Sequence, residues 1–152
     1  MNGKTCTFFG HRDCPASIRG ALRATLIRLI EQEGVTSFLV GCQGAFDAAA
    51  ASVLRELWPR YPQINCAVVL AYLPRRAEAF PLPTLLPEGI EQVPGRFAIS
   101  WRNRWMLEHC DMVVCYVTHS WGGAAKFVQL AKKRGKSVCN LAEVDGDVLE
   151  IH

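Results

Sequence analysis

The sequence predicts an α/β fold, a three-layer sandwich in which helices cover both faces of a central, mostly parallel, five-stranded sheet. Three observations predict it. Short apolar or β-branched runs alternate with helical runs along the whole chain, the pattern of parallel strands joined by right-handed crossovers. Two of the strand-like runs, Ile64 to Tyr72 and Met112 to Val117, are apolar on both faces, as a strand covered on both sides must be. The turns that lead from strand into helix are short and rich in glycine.

Thr5 to Phe9 reads as the first strand, interrupted by Gly10-His11-Arg12-Asp13-Cys14-Pro15. Pro15 suits a helix start, where its missing N–H costs nothing. Ile18, Leu22, Leu26, Leu29 and Ile30 then recur at helical spacing, with Arg19, Arg23 and Arg28 off that stripe, and Gly34 closes the helix. Ser37 to Val40 is the second strand and Gly41-Cys42-Gln43-Gly44 its exit turn. Ala45 to Trp58 is an alanine-rich helix stopped by Pro59, and Ile64 to Tyr72 is the third strand. Leu73 to Phe97 holds five of the eight prolines and predicts a long loop, with a short strand near Ile90 to Val93 and a lid role for the segment. A helix follows from Ile99 to Cys110, then a fourth strand from Met112 to Val117. Ala124 to Arg134 is a helix and Ser137 to Leu141 the fifth strand. Asp145-Gly146 offers a hairpin turn into a short C-terminal strand near Val148 to Ile151.

At 152 residues the expectation is one domain. The chain is 50% hydrophobic and 20% charged, which excludes a disordered chain. No apolar run approaches the roughly 18 residues of a membrane span, and the first residues do not resemble a secretory leader. The seven cysteines include no Cys-x-x-Cys and several sit inside apolar runs, which favours a reducing, cytoplasmic setting over a disulfide framework. His109, Cys110, Cys115 and His119 fit no common zinc spacing, so no metal and no cofactor are expected. The net charge of +3 is mild, and with no Lys/Arg-rich stripe it argues against nucleic acid as the partner.

Ligands of such sheets bind beyond the carboxyl ends of the strands, where the strand order reverses. Three loops there carry unusual residues: Gly10-His11-Arg12, the run Gly41 to Asp47, and Thr118-His119-Ser120-Trp121-Gly122-Gly123. Glycines let backbone N–H groups approach a ligand, and a helix start adds free N–H groups and partial positive charge. Two such loops make a phosphate cradle, although neither is a Walker A loop or a Gly-x-Gly-x-x-Gly fingerprint. Asp47 opens the second helix, either as a carboxylate that complements the helix dipole or as an acceptor for a ribose hydroxyl or base. Arg102, Trp105, Met106 and His109 share one helix face, where an embedded Arg needs a carboxylate or a ligand phosphate. The candidate ligand-binding residues are therefore Gly10, His11, Arg12, Gly41, Cys42, Gly44, Phe46, Asp47, Arg102, Asn103, Thr118, Ser120, Trp121, Gly122 and Gly123. No catalytic residue is assigned.

Taken in order, Phe9-Gly10-His11-Arg12, Gly41-x-x-Gly44-x-x-Asp47, Arg102-Asn103-x-x-Met106 and Gly122-Gly123 resemble the SLOG superfamily. That group is named for the Smf/DNA-processing protein A and lonely-guy proteins. The chain is most similar to its small single-domain bacterial members of unknown function, including the YpsA-like ones, and the resemblance runs from about Thr5 to Leu141. It implies a Rossmann-like parallel sheet and a pocket for nucleotides or nucleotide-derived ligands, which some members sense and others hydrolyse. It also implies pairing into homodimers through helices. The sequence departs from the pattern at Cys42, where the family usually has glycine. It departs again at or near Lys126, which stands where the lonely-guy phosphoribohydrolases carry the catalytic Glu of Gly-Gly-x-Gly-Thr-x-Glu. A lysine there would repel the oxocarbenium-like centre that a carboxylate stabilises. The leading expectation is thus a sensor or sequestering module for an ADP-ribose-like molecule or a nucleoside monophosphate. A nucleotide N-glycosidase is the first alternative and a single-stranded nucleic-acid binder the second.

Overall fold

The structure is a computed structural model that describes residues 3–73 and 80–143. The elements run β1 (Lys4–Gly10), α1 (Ile18–Gln32), β2 (Val35–Val40), α2 (Ala45–Leu57), β3 (Asn65–Val69), β4 (Thr84–Leu85), α3 (Gly95–Glu108), β5 (Met112–Tyr116), α4 (Gly123–Lys133) and β6 (Ser137–Asn140). The strands form one sheet in the order β4-β3-β2-β1-β5-β6, and every pairing is parallel. The order reverses at β1: the chain first builds outward through β2, β3 and β4, then returns to lay β5 and β6 on the other side.

Period-two alternation along the strands separates two cores. Phe8, Val68, Met112, Val114 and Cys139 face one layer; Phe9, Val69, Val113, Cys115 and Val138 face the other. The first layer is α1 and α2, whose Leu22, Leu26, Leu54 and Leu57 are fully buried. The second is α3 and α4, through Met106, Leu107, Phe127, Val128 and Ala131. The apolar stripes read from the sequence therefore face the sheet. Truncating one of those leucines to alanine costs about 2–5 kcal/mol.

The sheet has six strands where five were expected. The extra strand, β4, is a two-residue edge that pairs Thr84 with Val68 and Leu85 with Val69. The Pro83 carbonyl accepts from Val68 N–H and the Leu85 carbonyl from Leu70 N–H, both at 2.8 Å. An edge strand bonds on one side only, so prolines that argue against a central strand are tolerated there. Ile90–Gln92 is a single 3-10 turn rather than a strand, with Ile90 buried over Ala71 and Ala98. α3 begins at Gly95, four residues before the expected Ile99. Pro94, with φ fixed at −54°, sets its boundary although the apolar stripe starts later. The expected C-terminal hairpin strand lies outside the described residues, as does part of the expected lid. No disulfide forms among the described residues. Among the described residues no helix is long and apolar enough to cross a membrane.

Candidate functional site

The loops that leave β1 and β5 at the reversal of strand order enclose, with α3, a cavity of about 670 Å³. That volume is in the range of small-molecule sites. Gly10, His11, Arg12 and Asp13 line one side, and Thr118, His119, Trp121, Gly122, Gly123 and Ala124 the other. Asp47, Arg102, Asn103 and Ile99 complete it.

The two glycine-led helix starts share a backbone shape and differ in use. Gly44 caps α2 at φ 94°, ψ −179°, and Gly122 caps α4 at φ 96°, ψ 171°. At α2 the Ala45 N–H is already bonded to the Arg12 carbonyl at 2.8 Å, and the Gln43 N–H to Asp47 Oδ2 at 2.9 Å. The Asp47 carboxylate supplies in place the negative charge that a helix start attracts. At α4 the first helical bond runs from Lys126 N–H to the Gly122 carbonyl. Among the described residues nothing accepts from the N–H groups of Gly123 and Ala124, and both residues line the cavity. At the start of α4 the first N–H is thus open, whereas at α2 the first N–H is taken by the chain itself.

Asp47 and Arg102 form the floor. Arg102 is 1% exposed, and its charge needs compensation. Its Nη1 donates to the Val69 carbonyl at 3.0 Å and to Cys42 Sγ at 3.9 Å, while Nε donates to Asn103 Oδ1 at 2.9 Å. Nη2 has no protein acceptor among the described residues and is not sealed from the cavity. Burial pushes the Asp47 carboxyl up to about 6, against the opposing pull of the Gln43 N–H and the Arg102 charge. Among the described residues its Oδ1, like Arg102 Nη2, has no protein partner. Gly41 makes this proximity feasible, since a Cβ there would stand 2.8 Å from Asp47 Oδ2 and 3.3 Å from Arg102 Cζ. The floor thus offers one donor and one acceptor side by side.

Three rings stack at the mouth. His119 lies over His11 with centroids 3.8 Å apart, and Trp121 over His119 at 3.6 Å, both pairs within 13° of parallel. Two backbone bonds pin the column. Thr118 N–H donates to His11 Nε2 at 2.9 Å, which fixes the proton of neutral His11 on Nδ1. His119 Nδ1 lies 2.8 Å from the Trp121 carbonyl, which only accepts, so this nitrogen donates. Burial, and then the adjacent His119, lower the His11 pKa and keep it in that neutral, accepting form.

Of the residues proposed from sequence, Gly10, His11, Arg12, Asp47, Arg102, Asn103, Thr118, Trp121, Gly122 and Gly123 line the one cavity. Gly41, Cys42, Gly44, Phe46 and Ser120 do not. Phe46 is wholly buried beneath Gly10, packed on Phe8 and Tyr116. Gly44 abuts the Arg12 backbone, and Cys42 and Ser120 are exposed outside the lining. Cys42 has no positive φ, so the departure from glycine there introduces no strain. Sequence reasoning left His119, Asp13, Gln43, Phe8, Phe9, Ile99 and Ala124 out of the lining. His119 was within a loop already singled out; the apolar members gave no signal that separates them from core. Lys126 is exposed and outside the lining, whose carboxylates are Asp13 and Asp47. No group of three His, Cys, Asp or Glu side chains suited to a metal forms among the described residues.

A parallel sheet flanked by helices, with its cavity at the reversal of strand order, defines a Rossmann-like domain. Neither a protein-family model nor a curated protein matches the sequence. Among solved structures, the chain is similar to DNA processing protein A from Streptococcus pneumoniae, with 15% identity and a TM-score of 0.65. The match covers 90% of this chain and 49% of that one. It is also similar to DNA processing protein A from Helicobacter pylori, whose structure is described for its single-stranded DNA binding mode. There the identity is 14% and the TM-score 0.56, over 90% of this chain and 64% of that one. The chain thus spans about half of the first protein and under two thirds of the second. The Rossmann-like parallel sheet expected from the sequence is present, and it is the fold shared with these two proteins.

Proposed function

We propose that the chain binds a nucleotide-derived ligand in the cavity between the β1 and β5 exit loops. Its phosphate sits on the open start of α4, with Arg12 beside it. A ribose hydroxyl or base edge donates to Asp47 Oδ1 and accepts from Arg102 Nη2. The observation that carries this reading is the pair of unoccupied N–H groups of Gly123 and Ala124, which line a cavity that also holds an accessible donor–acceptor pair. Helix starts of this kind take anions, and neighbouring polar groups then select the sugar or base. The test is equilibrium dialysis with AMP, ADP-ribose and NAD, wild type against Gly123→Asp. Retention of at least one of these by the wild type and its loss in the variant is the expected result. Equal retention in both proteins would overturn the reading.

A second reading, in which the nucleotide unit belongs to single-stranded nucleic acid, is favoured by the likeness to the Helicobacter protein. That likeness counts against the expectation of nucleic acid as an unlikely partner, which was drawn from a net charge of +3 and the lack of a Lys/Arg-rich stripe. Charge summed over a chain does not report a local groove, and stacking on aromatic rings contributes alongside phosphate contacts. Binding of an oligonucleotide that weakens steeply with salt, with no retention of free nucleotides, would favour the strand over the small ligand.

A further inference from the structure

We infer that Trp121 carries a second ring-stacking subsite at the exposed edge of the cavity, so that the ligand class is two nucleosides bridged by phosphate rather than a single mononucleotide. The inference rests on the nucleotide reading above and specifies its ligand. Trp121 is 71% exposed, the most exposed large hydrophobic side chain among the described residues. With one face covered by His119, that exposure leaves the opposite face bare. An indole that only filled the core would not sit there.

The ring is nevertheless held. It lies flat on His119, which lies flat on His11, while Tyr116 meets His11 edge-on. The bonds from His119 Nδ1 to the Trp121 carbonyl and from Thr118 N–H to His11 Nε2 tie this column to the backbone of the same loop. The column is thus held by contacts within the protein, and a base that stacks on it has little further ordering to impose. Placement supplies the rest. Trp121 directly precedes Gly122 and Gly123, so the plate is next to the open start of α4 and lines the same cavity as Asp47 and Arg102. A phosphate on that helix start shares its cavity with the Asp47–Arg102 pair, which takes one nucleoside, and with the Trp121 ring, which takes the other. Every nucleobase has a planar face, so the Trp121 site selects for a second base without selecting its identity.

The experiment is a ligand cycle by isothermal titration calorimetry. AMP and the dinucleoside monophosphate ApA are titrated into the wild type and into Trp121→Ala, which removes an exposed side chain and leaves the core intact. The ratio of the two affinities, compared between the proteins, cancels the charge difference between the ligands. The expected result is that ApA loses between about 5-fold and about 150-fold relative to AMP in the variant, the range of one base stack. A dA ten-mer separates the sources: affinity no greater than that of ApA indicates a free dinucleotide, and greater affinity indicates a strand. An unchanged ratio with AMP still bound would overturn the second subsite alone. If the wild type binds neither AMP nor ApA nor the ten-mer, the nucleotide reading falls and takes this inference with it.

Discussion

The starts of α2 and α4 are two copies of one local structure that meet different surroundings. Both begin after a glycine at nearly the same φ and ψ, and both follow a strand at the carboxyl edge of the sheet. At α2 the Arg12 carbonyl takes the first N–H and Asp47 complements the dipole. At α4 neither partner is present among the described residues, and Gly123 and Ala124 line a cavity. A glycine turn before a helix can serve an anion only where the chain has not already taken its first N–H, which is what the proposed site at α4 requires.

The comparison breaks most visibly through the glycines themselves. Gly44→Ala combines the strain of a positive φ with a Cβ placed 2.8 Å from Arg12 Cα, which is backbone and cannot swing away. Urea denaturation should show a loss of about 2–5 kcal/mol. Gly122→Ala carries only the strain, since its nearest neighbour would be His119 Cε1 at 3.8 Å, and should lose about 1–3 kcal/mol. Equal losses would mean that the two starts are packed alike.

The next effect isolates Asp47, the residue that separates the two starts. Its pKa is about 6 in the fold against an ordinary 3.8, so between those values the native state binds the proton more tightly than the unfolded chain. Native stability should fall as pH rises from about 4 to about 6 and then level off, by at most on the order of 3 kcal/mol. Asp47→Asn lacks the titrating group. It should match the wild type near pH 4 and exceed it at pH 7, as thermal unfolding across that range would reveal. A constant difference at all pH values would contradict the assignment. Ligand affinity should move the other way in the wild type, strengthening above about pH 6 as Oδ1 becomes a charged acceptor.

Charge placed at each start gives the sharper and smaller tests. Gly123 has open space around it, so Gly123→Asp should keep the fold and gain up to about 1 kcal/mol of stability from the helix dipole. Nucleotide affinity should nevertheless drop at least about 30-fold, roughly the value of one charged hydrogen bond. Ala45→Asp puts the same carboxylate at α2, where the N–H is taken. Affinity there should change by less than about 2-fold, roughly 0.4 kcal/mol. A large loss from Ala45→Asp would show that α2, not α4, holds the phosphate.

Much of this was legible in the sequence. Helical stripes such as Leu22, Leu26 and Leu29, and strands apolar on both faces such as Met112 to Tyr116, are local periodicities, and local chemistry sets them. The loops that line the cavity were legible because glycine, histidine and arginine are unusual at strand exits. β4 was not, because two residues flanked by prolines carry no period, and the pairing is specified by β3 alone. Phe46 was assigned to the site because it adjoins a glycine loop, but a helix start presents only part of its circumference to the cavity, and Phe46 is on the core side.

The sequence by itself determined the order and type of the elements, the parallel sheet they form and the edge at which its loops gather. Each of these follows from residue spacing over a few turns or from the handedness of short connections. Tertiary structure alone decided which glycine turn stays open, where the Arg102 charge is balanced and which rings stack. Those outcomes join Arg12 to Ala45, Val69 to Arg102 and His11 to Thr118. Contacts between residues that far apart in the chain exist only after the sheet has brought the strand ends together, and no local pattern encodes them.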